Sequence, residues 1–83
     1  MLFDPETGTL QEGAFWWLVD LEVRRGMRYQ NAFTLMVIEV GNGRRPDLRT
    51  VGQIILEELR SSDLVGRVGP RAFAVLLPHT PAP

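Results

Sequence analysis

The spacing of apolar residues changes character along the chain, and each change marks an element. From Leu10 to about Arg28, Phe15, Val19, Val23 and Met27 recur every fourth residue, with Ala14, Leu18 and Leu21 beside them. That spacing gathers them on one side of a helix and predicts a helix over 10–28. Trp16 and Trp17 widen the stripe, so this helix is expected to make contacts on two sides. Adjacent helical residues point about 100° apart, which leaves at most one tryptophan for the main core and the other as a candidate partner surface. Tyr29-Gln30-Asn31 then breaks the pattern. Ala32 to Val40 is almost continuous in apolar and β-favouring residues, which predicts a strand over 32–40 covered on both faces.

Gly41 to Asp47 reads as a loop. Leu48, Val51, Ile55 and Leu59 mark the inner face of a second helix, predicted over 47–61 with Asp47 as its N-cap. Leu64 to Val68, a turn at Gly69-Pro70, and Arg71 to Leu77 read as a β-hairpin over 64–77. Residues 4–9, Asp-Pro-Glu-Thr-Gly-Thr, are turn formers ahead of the first helix. Pro78, Pro81 and Pro83 mark a tail over 78–83. The order helix, strand, helix, strand, strand predicts a single α+β domain, with a small antiparallel or mixed sheet covered by helices. No internal repeat or low-complexity tract interrupts it.

Composition narrows the chemistry. The chain has 83 residues, 45% hydrophobic and 23% charged, which fits one folded domain. It contains no cysteine, so disulfides and thiolate metal sites are excluded. A net charge of −1 gives no global attraction to nucleic acid or membrane. The N-terminus lacks a basic region, and the apolar run Phe73–Pro78 is far short of the ~20 residues a bilayer needs. A cytoplasmic location, with neither nucleic acid nor membrane as partner, is the expectation.

Three stretches, in order, resemble the GGDEF (diguanylate cyclase) domain. Asp4-Pro5-Glu6-Thr7-Gly8 is similar to the Asp-x-Leu-Thr-Gly turn before that family's first helix. Ile38-Glu39-Val40 stands where the family's first strand ends in acidic residues. Arg67-Val68-Gly69-Pro70-Arg71-Ala72-Phe73, followed by Ala74-Val75-Leu76-Leu77-Pro78, resembles the Arg-Tyr-Gly-Gly-Asp-Glu-Phe signature and its following strand. The resemblance implies a truncated GGDEF, ferredoxin-like half-domain and covers about half of a full family domain.

The departures bear on activity. The family joins two GTP molecules with divalent metal, which needs hard acidic oxygen ligands at the strand end and on the hairpin. Glu39 keeps an acid at the strand end, as a vestigial ligand. Arg71 and Ala72 replace the hairpin acids, and Pro70 replaces a glycine, removing a backbone N–H. Gly69 and Phe73 keep the frame. The stretch from Glu39 to Arg60 is also shorter than in the family, where it carries base- and metal-contacting residues. The expectation is a non-enzyme with no cofactor and no metal.

Arg60-Ser61-Ser62-Asp63 resembles the family's inhibitory Arg-x-x-Asp site for cyclic di-GMP. There the guanidinium contacts guanine or phosphate, and the carboxylate accepts from guanine N–H groups. The structural alternative gives Arg60 to the helix C-terminal dipole and Asp63 to a turn cap. Arg44, Arg45 and Arg49 around Gly41-Asn42-Gly43 form a weaker candidate anion patch. His79, the single histidine, has no nucleophile beside it.

In the family the first strand is central, with the hairpin on one side and a strand absent from this sequence on the other. The resemblance therefore implies that residues 33–40 form an apolar edge, which tends to pair with another chain. A homodimer joined strand to strand through Phe33, Leu35 and Val37, with Trp16 and Trp17 at the junction, is expected, or else a protein partner. The function expected is a degenerate GGDEF-like interaction or signalling module, with cyclic di-GMP reception as the alternative.

Overall fold

The computed structural model describes residues 2–41 and 47–79. They form α1 (Glu12–Arg28), β1 (Phe33–Glu39), α2 (Leu48–Glu58), β2 (Leu64–Gly69) and β3 (Ala72–Pro78). The strands make one antiparallel sheet in the order β1-β3-β2, so the second hairpin strand is central. This is an α+β layer fold.

Local chemistry sets the boundaries. Leu10 bridges to both Phe3 and Gly66, so the chain enters α1 only at Glu12, where the Gln11 side chain caps Gly13 N–H at 3.0 Å. At the far end, Asn31 N–H and Tyr29 N–H both reach Gly26 O, and Gln30 takes a left-handed conformation at φ 57. A glycine is usual at such a position. Asp47 Oδ1 accepts from Thr50 N–H at 2.7 Å, the N-cap of α2. That helix stops at Glu58, short of Ser61, because the Arg60 N–H turns to Asp63 Oδ2 at 2.9 Å. Pro78 belongs to β3 and pairs with Phe33, so the strand runs one residue into the expected tail. A proline is tolerated at a strand end.

Alternation divides the sheet into two faces. On one, Val65, Phe73 and Val75 join Val40 and Leu48 in a buried cluster, flanked by Ile38, Val51 and Ile55. On the other, Ala74 meets Leu10 and Phe15, with Leu18, Val19, Leu64 and Val68 against them. Phe15 and Phe73 are fully buried, each contributing roughly 1.5–3 kcal/mol of burial free energy. Phe15 settles on Gly66, where any Cβ would lie 2.4 Å from its own Cβ. Farther along α1, Gly26 sits on the Phe33 ring in the same way.

Neither tryptophan enters the core, within the expected limit of at most one: Trp16 is 40% and Trp17 65% exposed, because Phe15 holds the position facing the sheet. One expectation fails on this packing: β1 is not covered on both faces. Leu35, Met36 and Val37 are 48%, 42% and 62% exposed. Helix α1 lies against β2, and the cluster under α2 meets β1 at Ile38 and the chain just past its end at Val40, so the middle of β1 stays open.

Candidate functional site

Side chains with chemical potential gather at three places. The first joins the opening turn to the hairpin. Gly8, at φ +77, lets residues 4–9 close, with Gly8 N–H on Asp4 O and Asp4 N–H on Thr9 O. Asp4 Oδ2 accepts from the Thr7 N–H at 2.9 Å and the Thr7 hydroxyl at 2.8 Å. Thr7 in turn shares a hydrogen bond with Thr9, both buried. Arg67, from β2, spans the gap: one terminal nitrogen meets Asp4 Oδ2 at 3.3 Å and Glu6 Oε1 at 2.6 Å, and the other donates to Pro70 O at 2.9 Å. Burial would raise the Asp4 carboxyl, but the Thr7 hydrogen bonds and the Arg67 charge hold it below its ordinary value.

The second place is the hairpin tip. Pro70 and Arg71 form a two-residue turn, and neither needs a left-handed backbone. A bulge between Arg67 and Gly69 absorbs the strand twist that such a turn otherwise opposes. Arg71 then folds back onto the end of β1. Its Nε donates to Val40 O at 3.1 Å and Gly41 O at 3.0 Å, while its own carbonyl accepts from Val40 N–H at 2.8 Å. Glu39, Gly41, Pro70, Arg71 and Ala72 line one open recess here. Gly69 and Phe73 serve the frame, the first closing the turn and the second filling the core.

The third place is the turn from α2 to β2. Arg60 and Asp63 point at each other, with Nε–Oδ2 at 3.2 Å and the second pair at 3.0 Å. The Asp63 side chain is only 3% exposed and Arg60 is 58% exposed. Burial raises the Asp63 carboxyl, but the Arg60 side chain, its backbone N–H and its charge together bring it below the ordinary value. The pair borders an apolar groove of about 410 Å³ walled by Leu2, Phe3, Leu10, Leu18, Leu59 and Leu64.

No protein-family model matches the sequence, and no curated protein does. Among solved structures, the chain is similar to the GGDEF domain of DgcB from Caulobacter crescentus, solved in complex with c-di-GMP, at a TM-score of 0.88 and 18% identity. The fold is that of a GGDEF domain. The match takes in 98% of this chain and 52% of that one, so the chain spans about half the length of its structural neighbour and is a GGDEF half-domain in fold.

Within this half-domain fold, the hairpin brings Glu39 and Arg71 to one recess, whereas Arg60 and Asp63 lie in another region, beside the apolar groove. Leu35 and Val37 lie together on the open part of β1; Phe33 is half-buried under Gly26 and so has less to offer a partner. Arg44 and Arg45 lie outside the described residues, and Arg49 donates to Glu6 O at 3.2 Å. His79 is exposed after β3. Among the described residues no helix is long and apolar enough to cross a membrane. The clamp of Asp4, Glu6 and Arg67 is the feature that residue spacing alone does not reveal. Its only sequence signal is that Asp4 and Arg67 each stand in a stretch resembling the family.

Proposed function

We propose that this chain is a catalytically inactive GGDEF-like module that acts by association, through dimerisation or a protein partner. The observation that carries this reading is Arg71. It occupies the hairpin position where the family resemblance calls for an acidic metal ligand, and it is fastened to the carbonyls at the end of β1. A guanidinium held there opposes a divalent cation by charge and occupies two carbonyl oxygens that a hard cation would favour. Among the described residues, no three acidic or histidine side chains converge as a metal set. The exposed Leu35 and Val37 supply a surface suited to association. Incubation with GTP and Mg²⁺ should yield no cyclic di-GMP by chromatography; product formation overturns the inactive reading.

A second reading is cyclic di-GMP reception through Arg60 and Asp63. It is supported by the structural neighbour's having been solved with that ligand and by the groove beside the pair. Against it, the two residues already satisfy each other through a two-bond ion pair, which a ligand would have to open. Isothermal titration separates the readings: heat on adding cyclic di-GMP that Arg60→Ala abolishes supports reception, and absence of heat at high micromolar ligand removes it.

A further inference from the structure

Resting on the association proposed above, we infer that two copies of this chain pair β1 to β1, antiparallel, about a two-fold axis through Met36. The backbone of β1 sets the register. Val40 N–H donates to Arg71 O, and the ladder with β3 pairs Ile38 with Phe73, Met36 with Val75 and Thr34 with Leu77. Alternate residues of an antiparallel strand turn their N–H and C=O to opposite sides. Thr34, Met36, Ile38 and Val40 therefore bond to β3, and Phe33, Leu35, Val37 and Glu39 present their backbone groups to the outer edge. Such an edge is a template for another strand.

The pattern of this edge matches itself. With Met36 opposite the partner's Met36, Leu35 falls opposite the partner's Val37 and Phe33 opposite the partner's Glu39. All four outward residues then meet outward residues. Moving the axis to Leu35 or Val37 leaves an end of the strand unmatched. In the Met36 register the two Glu39 carboxylates lie at opposite ends of the contact, about 20 Å apart, so like charges do not meet. Paired Leu35 and Val37 side chains fill its centre, where each is now exposed. Helix α1 packs chiefly on β2 and reaches this edge only at Phe33, under Gly26, so it leaves the Leu35–Val37 centre open to a partner strand.

The chain has no cysteine, so one introduced thiol reports the register unambiguously. A non-hydrogen-bonded antiparallel pair brings its Cα atoms to about 4.5 Å, within the range a disulfide accepts. Met36→Cys should form a covalent dimer under mild oxidation. Leu35→Cys should stay unlinked, because it lies about 8–9 Å from its own copy. Preferential linking of Leu35→Cys or Val37→Cys overturns the register. Failure of all three to link, with the wild type still dimeric by mass, overturns the β1 contact but leaves association standing; a monomeric wild type overturns both. Val37→Pro gives an independent check, since it removes an outward N–H and no ladder bond to β3. It should abolish the dimer with an unchanged far-UV circular dichroism spectrum, and a dimer that persists contradicts the contact.

Discussion

The two edges of the sheet are built in opposite ways. At β2, Leu10 continues the hydrogen bonding in parallel, with Leu10 N–H on Val65 O at 3.0 Å and Arg67 N–H on Leu10 O at 2.9 Å. The opening turn is held there by Asp4, Glu6 and Arg67, and Phe15 closes over Gly66. At β1 the outward backbone has no neighbouring strand among the described residues, and Leu35 and Val37 are exposed. One edge is finished by the chain's own N-terminal segment; the other has the hydrophobicity of a buried strand without the burial. Stability should therefore reside at the β2 edge and association at the β1 edge.

The largest effect expected is from Phe15→Ala, which should lower unfolding free energy by about 3–5 kcal/mol in denaturant titration. Val37→Ala at the open edge should shift the isolated chain by only ~0.5 kcal/mol or less. Equal losses at both sites would erase the contrast. Next, Arg67→Ala should cost roughly 1–3 kcal/mol, because it leaves Asp4 and the carbonyl of Pro70 without their charged partner. Amide exchange should rise first in residues 4–10; protection that is unchanged there would show that the clamp holds nothing.

Gln30→Gly should come next and act in the stabilising direction. It relieves a left-handed backbone that costs an ordinary residue roughly 1–2 kcal/mol, less the entropy glycine loses on folding. A gain smaller than 1 kcal/mol in the same titration is expected, and a loss would contradict the cap geometry. The smallest effect is acid dependence. Asp4 and Asp63 are both held below their ordinary value of 3.8, so each favours the folded state above that pH. That contribution is lost as pH falls through their folded values. Thermal midpoints should drop in this acid window, and Asp4→Asn with Asp63→Asn should flatten the drop.

Much of this fold is legible in the residues, since period-four and near-continuous apolar runs separate helices from strands. Leu48, Val51, Ile55 and Leu59 do face inward as their spacing implies. The same signal misleads at β1, because an apolar run records that a strand suits burial, not that anything covers it. Trp16 and Trp17 are ambiguous for a related reason: Phe15 beside them competes for the same face, and only the seat on Gly66 decides. The Arg60–Asp63 spacing is visible, but its ion pair is settled by the end of α2 at Glu58. The clamp escapes sequence reading because Arg67 lies 63 residues from Asp4. Arg71 is visible as a departure, and the carbonyls it binds are brought to it by β1.

The mass of the wild-type chain in solution tests the division between the two edges most directly. Light scattering at micromolar concentration should give twice the 9.4 kDa of one chain, and Val37→Lys should halve that value without altering the circular dichroism spectrum. A wild-type mass of 9.4 kDa across that range would contradict association through the open edge.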